Sequence, residues 1–299
     1  SGGTYSALAA NTYSNNRFFK VTPSTTEAHA GTFAITFSVT DGVNTANSSV
    51  STFTLGFSVS GSVAFDGTGD YIEFPSQYNL GQASADWTVE FWWRSTHTFQ
   101  MGFIQVGKDN GSLSIYMNGS NKIVVEGNQT GSGYTSAKSL VTNRWYHIAV
   151  VNDGTANTQT TYINGVADTN TGSRSTAYTY TEDTVIIGGR YYSSAYKDTA
   201  MTHMSNVRIT KAKVYSANFV VPTEPLTAIA NCQLLTCQNS SSSITDASSN
   251  GYSISANNGA AANAYGVPKL PADISTVANV LTPYGDTKWD YVTPFSAGA

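Results

Sequence analysis

Short alternating segments separated by glycine- and asparagine-rich turns run from residue 62 to residue 219, and they constrain the fold more than any other feature. The segment 87–93, Trp-Thr-Val-Glu-Phe-Trp-Trp, places large apolar side chains at alternate positions, and therefore on one face of a strand: Trp87, Val89, Phe91 and Trp93. A face this large and apolar is expected to lie in a core. Because helix signals are weak everywhere and short strands are many, the sequence predicts an all-β sandwich.

Two Asn-Gly pairs predict hairpins within this region. Asn164-Gly165 separates the strand-like segments 160–163 and 166–168, and Asn118-Gly119 lies between 113–117 and 122–126. Asn and Gly tolerate a positive φ, which tight hairpin turns require. We expect a tight turn at the first pair and a slightly longer loop at the second.

Six sequence segments occur in an order that resembles the laminin-G-like family of concanavalin A-like jelly rolls. They are residues 65–72, 87–92, 144–151, 162–165, 186–189 and 205–209. The resemblance covers residues 62–220, about half of the chain. It implies that residues 61–257 form a jelly-roll sandwich.

The first 60 residues differ in character from this region. Three strands are expected there, at 17–23, 32–40 and 51–59, and the second turns at Asp41-Gly42. The segment from Phe37 to Ala46 resembles the last strands of immunoglobulin-like or cadherin-like modules. Since such a sandwich has about seven strands, residues 1–60 are interpreted as a partial module. Its other strands would lie upstream in a longer polypeptide or belong to another chain.

Residues 233–256 predict two further strands around a turn at 246–251. The phrase Leu-Leu-Thr-Cys-Gln followed by Ile-Thr-Asp-x-Ser-x-Asn resembles the tail that follows laminin-G-like domains in marine phage structural and tail-fibre proteins. We therefore expect this stretch to complete the jelly roll. Residues 258–299, rich in Ala, Gly and Pro, are interpreted as an extended tail or linker.

Composition excludes some partners. Charged residues make up 11% of the chain, against about a quarter in typical domains, so the polar surface consists mainly of Ser, Thr, Asn and Gly. A net charge of −4 without a basic block argues against nucleic-acid binding. No apolar run approaches the roughly 20 residues that span a bilayer. Because the sequence starts Ser-Gly-Gly, without Met or a signal-peptide profile, we expect a processed chain or a fragment of a longer one.

Cys232 and Cys237 lie within one strand-like segment. If that segment is extended, their Cα atoms are about 16 Å apart, beyond the roughly 7 Å limit for a disulfide. Two free buried thiols are expected. A chain without an obvious disulfide fits assembly in a reducing cytoplasm, as phage proteins undergo, slightly better than secretion.

The sequence signals for sets of catalytic residues are weak. Glucanases of this superfamily need a Glu-x-Asp-x-x-Glu cluster, and Glu90 has no acidic residue at position 92 or 95. The four histidines are scattered, and His147 lies in a strongly apolar strand, where a structural role is expected. No Gly-x-Ser-x-Gly elbow supports a serine nucleophile. The sequence therefore predicts a noncatalytic protein.

Laminin-G-like domains often hold a calcium ion at the rim of the sandwich, so the resemblance makes Ca²⁺ a candidate ligand. Asp66 and Asp70 flank a glycine turn and are the first choice for its oxygen ligands. Asp109, Asp153 and Asp198 also lie in expected turns. The alternative for each is a turn carboxylate that accepts hydrogen bonds from its own backbone.

A tyrosine-rich segment at 189–198 is the candidate glycan site. It contains Tyr191, Tyr192 and Tyr196 beside Arg190 and Lys197. Aromatic rings stack on the C–H faces of sugars, while polar groups bind the sugar hydroxyls. A contact between subunits would use the same residues equally well.

These observations lead to one functional hypothesis and two alternatives. The hypothesis is a noncatalytic structural and adhesive module of a phage virion appendage, such as a tail fibre. Its partners would be other virion or fibre subunits in a homo-oligomer, and a host-surface glycan. The alternatives are a secreted or surface-anchored bacterial adhesin, which would be extracellular, and a polysaccharide-active enzyme.

Overall fold

The computed structural model describes residues 31–35, 38–40, 43–47, 51–55, 60–75, 85–108, 112–127, 132–173, 184–222, 224–240, 243–264 and 266–267. The chain divides into two compact units, one comprising Ser1–Phe57 and Pro268–Ala299 and the other Ser58–Val267. Every strand pair is antiparallel, and no α-helix occurs in the ranges just given. Accordingly, no helix in them has the length and apolarity needed to cross a membrane.

The described residues of the first unit form two strand pairs. Strand β1 (Gly31–Ile35) pairs with β4 (Ser51–Leu55), and β2 (Ser38–Thr40) pairs with β3 (Thr45–Asn47). The segment expected as one strand over 32–40 thus contributes to two pairs. The strand expected at 17–23 lies outside the described residues. The immunoglobulin-like character of this unit stays a prediction.

The second unit is a sandwich of two antiparallel sheets. Its strands are β5 (Ser62–Asp66), β6 (Tyr71–Pro75), β7 (Trp87–Ser95), β8 (Met101–Val106), β9 (Leu113–Met117), β10 (Lys122–Gly127), β11 (Ser132–Ser139), β12 (Tyr146–Asp153), β13 (Thr158–Ile163), β14 (Val166–Ser173), β15 (Thr184–Ile187), β16 (Arg190–Tyr192), β17 (Ala195–Lys197), β18 (Met201–Thr210), β19 (Cys232–Thr236), β20 (Ser255–Asn257) and β21 (Ala261–Asn263). The first sheet has the order β11-β10-β9-β8-β15-β6-β20, and the second β14-β13-β12-β7-β18-β5-β21, with β19 also paired to β18. Strands β16 and β17 form a separate hairpin. The all-β jelly-roll prediction is confirmed.

The core lies between the two sheets, where the sequence pattern places it. Trp87, Val89 and Phe91 are fully buried, and Trp93 is 1% exposed. The ring of Phe103, in the first sheet, packs against the rings of Phe91 and Trp93, with centroid distances of 5.4 and 5.5 Å. Burial of a large apolar side chain contributes about 1.5–3 kcal/mol, so the alternating face of β7 is a main source of stability.

The tight hairpin is confirmed between β13 and β14. Asn164 and Gly165 both have positive φ, 54° and 75°. A Cβ atom on Gly165 would lie 2.0 Å from the carbonyl oxygen of Phe219, so only glycine fits. Between β9 and β10 the longer loop is also present, but its positive φ is at Asn121 rather than at Asn118-Gly119. The reason is that Asn118 instead accepts backbone hydrogen bonds across the loop through its side chain.

The C-terminal part of the sandwich differs from expectation in two respects. Residues 243–254 contain no strand, because Asp246 holds this stretch through side-chain hydrogen bonds from the backbone N–H groups of Leu235 and Tyr252, at 3.1 and 3.0 Å. The jelly roll also extends beyond residue 257. Strand β20 joins the first sheet. After a connection at residues 258–260, β21 joins the second sheet by pairing with β5.

Both cysteines are free and buried, as predicted. Cys232 lies in β19, whereas Cys237 follows the end of that strand with a φ of 60°. Burial raises the pKa of both thiols, and that of Cys237 is raised far more than that of Cys232. These thiols are therefore not reactive nucleophiles.

Candidate functional site

The hairpin β16–β17 lies against the outer face of the first sheet. In β6, Ile72 and Phe74 point into the core, so Tyr71 and Glu73 point to the outer face. The hairpin residue Tyr196 contacts both of these outer residues. All the residues that the sequence proposed for glycan binding lie on this hairpin, and the structure brings them together.

Backbone contacts hold the base of the hairpin very close to the sheet. A Cβ atom on Gly102 of β8 would lie 2.5 Å from the carbonyl carbon of Gly189, so a larger residue would separate the two layers. The amide nitrogen of Gly102 also donates to the carbonyl oxygen of Asp198 at 2.7 Å. The glycine is thus required by close approach rather than by its φ.

The side chain of Gln105 in β8 forms hydrogen bonds with the hairpin backbone, as the backbone of a neighbouring strand would. Its side-chain amide donates to the carbonyl oxygen of Tyr191 and accepts from the N–H of Tyr191, both at 2.9 Å. The same Nε2 also donates to the carbonyl oxygen of Gly107. Gln105 is fully buried, so loss of these bonds would leave polar groups unpaired.

Arg190 is an internal clamp. It is 7% exposed, and its guanidinium lies 3.7 Å from the centre of the Tyr116 ring. It donates through Nε to Asp198 at 2.9 Å, pairs with the same carboxylate through Nη2, and lies 3.7 Å from Glu126. Burial, together with the charge of Glu126, raises the pKa of Tyr116. A guanidinium with so many partners holds the hairpin and presents little surface to a ligand.

Tyr196 is also held by its neighbours. Its ring stacks on Tyr71, with centroids 3.9 Å apart, and Tyr191 packs edge-on against it at 5.0 Å. Its hydroxyl donates to Glu73 at 2.5 Å, and Glu73 also pairs with Lys108 at 2.8 Å. Burial and the bond to Glu73 raise the pKa of Tyr196 strongly, so the hydroxyl stays a hydrogen-bond donor.

The tip of the hairpin is its accessible part. Ser193 and Ser194 are exposed, and Tyr192 beside them is half-buried. The ammonium of Lys197 lies 4.5 Å from the centre of the Tyr192 ring. Tyr192, the two serines and Lys197 are the groups best placed to meet a ligand.

Sequence reasoning missed the floor of the site: Tyr71, Glu73, Lys108, Tyr116 and Glu126. For four of them the sequence signal is only that the polar residues of β6, β9 and β10 alternate with core residues. Lys108 lies just after β8 and has no such signal. That pattern predicts an outer face but does not say which strands lie side by side.

Asp66 and Asp70, the candidate calcium ligands, accept hydrogen bonds from backbone N–H groups and so stabilise a turn. Asp70 is 1% exposed, and its two oxygens accept hydrogen bonds from the N–H groups of Asp66 and Gly259, at 2.7 and 2.6 Å. Asp66 accepts from the N–H of Thr68 at 2.7 Å. Within the described part of the chain, no three His, Cys, Asp or Glu side chains are grouped to hold a metal ion. Since calcium takes six to eight oxygen ligands, these two carboxylates do not make a site by themselves.

Glu90 lies in a buried ionic network on the outer side of the second sheet. Arg208 donates to its Oε1 at 2.8 and 2.6 Å, the Tyr215 hydroxyl donates to its Oε2 at 2.7 Å, and His147 Nε2 is 3.2 Å away. Burial alone would raise the pKa of Glu90, but His147, Arg208 and Tyr215 together lower it. Glu90 and His147 are both fully buried, so neither reaches a substrate.

Comparison with known proteins agrees with this architecture. A laminin G family model, described as the concanavalin A-like lectin/glucanases superfamily, matches residues 66–220, about half of the chain. The chain belongs to this superfamily. A search of curated proteins gave no significant match in sequence.

Several solved structures have a fold similar to that of this chain, at low sequence identity. A proposed carbohydrate-binding protein from Bacteroides ovatus is 17% identical, with a TM-score of 0.56 over 80% of this chain and 70% of the other. A heptameric pentraxin from Limulus polyphemus is 15% identical, with a TM-score of 0.42 over 52% and 78% of the two chains. Domains LG4-5 of the mouse laminin α1 chain are 12% identical, with a TM-score of 0.39 over 58% and 48%. At these identities the likeness concerns the fold.

Proposed function

We propose that the second unit is a noncatalytic carbohydrate-binding module, and that the outer face carrying the hairpin β16–β17 is its binding surface. The observation that carries the proposal is a rigid cluster of tyrosine rings set among cations and carboxylates, with Tyr192 at an accessible tip. Lectin surfaces combine such rings with polar groups of fixed position. The fold shared with the Bacteroides ovatus protein is compatible with this role.

The noncatalytic part of the proposal is supported by the environment of Glu90. Hydrolysis of a glycoside requires a carboxyl group that reaches the scissile oxygen. Glu90 has no exposed surface and is engaged by Arg208 and Tyr215. The carboxylates of the hairpin surface, Glu73, Glu126 and Asp198, are each paired with Lys108 or Arg190.

We further propose that this module belongs to a phage virion appendage, where it is repeated in a homo-oligomer and contacts other fibre subunits. The resemblance of the segment around residues 234–250 to marine phage proteins supports this context, as does the sparsely charged surface. Many copies would multiply a weak single-site affinity. Mass spectrometry of the native particle tests it, since a monomer of 31.7 kDa would instead favour a free lectin or adhesin.

Glycan binding is tested by displaying the protein on multivalent beads and screening immobilised neutral and acidic oligosaccharides. The variant Tyr192→Ala should weaken retention by about fivefold, since a stacked ring contributes roughly 1 kcal/mol. Val220→Ala, at an 89% exposed position beside Phe219, is the matched control and should bind normally. Equal loss in both variants, or no binding by the unmodified protein, would contradict the proposed function.

A further inference from the structure

The hairpin β16–β17 has a two-residue turn that its sequence does not favour. Tyr192 pairs with Ala195, so Ser193 and Ser194 form the whole turn. Both have positive φ, 51° and 57°, as a type I′ turn requires. Asn-Gly is the preferred sequence for this turn, because a left-handed conformation is unfavourable for a residue such as serine.

The same protein uses the favoured residues elsewhere. Its other two-residue hairpin, between β13 and β14, has Asn164-Gly165. Asparagine also occupies most other positions of positive φ outside glycine in the described chain: Asn121, Asn143, Asn157, Asn206, Asn231 and Asn258. The serine pair at the tip therefore departs from the pattern of this chain. Unfavourable backbone conformations of this kind occur at sites of function.

The position of the serines suggests what they do. Both are exposed, whereas the base of their hairpin is held by Gln105, Arg190 and Tyr196. A rigid base fixes the two hydroxyls relative to the Tyr192 ring. Each hydroxyl both donates and accepts a hydrogen bond, which suits the hydroxyl groups of a sugar.

The charges of the hairpin and of the sheet beneath it are balanced. Three cations, Lys108, Arg190 and Lys197, are matched by three carboxylates, Glu73, Glu126 and Asp198. A surface without excess charge does not favour a charged ligand over a neutral one.

We propose that the hydroxyls of Ser193 and Ser194 bind the ligand directly, and that the ligand is a neutral oligosaccharide. This inference rests on the proposed function and deepens it. The serine pair supplies these hydroxyls at the expense of turn stability.

Replacement of the tip by the favoured turn tests the inference. The variant Ser193→Asn with Ser194→Gly should raise the Tm by roughly 2–4 °C, because the strain is relieved. It should also lose at least about tenfold in retention on neutral gluco- and galacto-oligosaccharides. A variant that binds these probes as well as the unmodified protein would overturn the inference.

A second variant separates the effect of the hydroxyls on binding from the effect of the backbone strain on Tm. Ser193→Ala with Ser194→Ala keeps the strained turn and removes both hydroxyls, so it should lose binding without a rise in Tm. Unchanged binding by this variant also overturns the inference while the proposed function stands. Tighter retention on galacturonic acid oligomers than on the neutral probes overturns the choice of a neutral ligand. If the unmodified protein binds none of the sugars, the proposed function fails and the inference fails with it.

Discussion

Single residues of this sandwich show how buried polar groups determine local structure. Glu90 and Arg208 pair in the interior, and the hydroxyl of Tyr215 satisfies the second carboxylate oxygen. His147 is enclosed by the rings of Trp92, Tyr215 and Phe219. The network joins β7, β12 and β18 to the segment after β18, so these polar groups connect elements of the second sheet.

The substitution Glu90→Gln should strongly destabilise the second unit. It leaves the guanidinium of Arg208 buried without a countercharge, which costs about 3–5 kcal/mol. The midpoint of urea unfolding measures the loss. Asp153→Asn is the control, because the Asp153–Lys213 pair lies at the surface, and its midpoint should hardly change. Equal shifts in both variants would contradict this account of Glu90.

His203 is expected to make the stability of the second unit depend on pH. Burial, with the nearby charge of Arg94, lowers the pKa of His203 from 6.5 to about 4. The unfolded chain therefore binds a proton that the folded chain does not bind between these values, and stability should fall as the pH drops from 6.5 to about 4. Urea midpoints across this range measure the slope. His203→Gln should flatten it, and an unchanged slope would assign the effect to another group.

At the scale of elements, the hairpin β16–β17 is an added layer on a completed sheet. It pairs with no strand of the first sheet, and its attachment depends on Gln105, the close approach at Gly102, and the clamp formed by Arg190. Such an element has its own local stability, below that of the central strands.

The substitution Gln105→Leu should loosen the hairpin without unfolding the core. It removes both side-chain hydrogen bonds to the backbone of Tyr191, at a cost of about 1–3 kcal/mol. Hydrogen exchange should show lower protection for residues 190–198, while β7 and β12 keep theirs. Equal loss of protection in all three regions would mean that the hairpin and the core unfold as one unit.

At the scale of the second unit, the sandwich is joined along both sides. On one side, Asp168 of β14 accepts hydrogen bonds from the N–H groups of Ala137 and Lys138 of β11, so the two edge strands are tied together. On the other side, the chain passes from β20 in the first sheet to β21 in the second. Short and covered edges of this kind limit pairing with other chains.

The substitution Asp70→Ala should loosen the side of the sandwich where the chain passes from β20 to β21. It removes the acceptors of two backbone N–H groups, one of Asp66 at the end of β5 and one of Gly259. Limited proteolysis should then cleave near residues 258–260, whereas Asp66→Ala, at an exposed position, should leave this segment resistant. A rise in Tm on addition of calcium that Asp70→Ala abolishes would instead assign Asp70 to a metal site.

Much of this fold is local in origin and therefore predictable. The alternation in β7 predicts its core face, because side chains of a strand point to opposite sides. Asn164-Gly165 predicts its own turn, because the required φ values depend on those two residues. The three-residue strands β20 and β21 carry no such signal, since their pairing depends on where β6 and β5 already lie.

The sequence by itself determined the all-β class, the two hairpins and the tyrosine-rich segment, because periodicity and turn chemistry act between near neighbours. Its ordered motifs carried the resemblance to the superfamily to which the chain belongs. Only the tertiary structure decided that Arg190 and Tyr196 hold the hairpin while Tyr192 and the two serines remain accessible. Their partners Tyr116, Glu126 and Glu73 come from strands far away in sequence. These strands lie beneath the hairpin because the first sheet has the order β10-β9-β8-β15-β6, which packing of the whole sandwich sets.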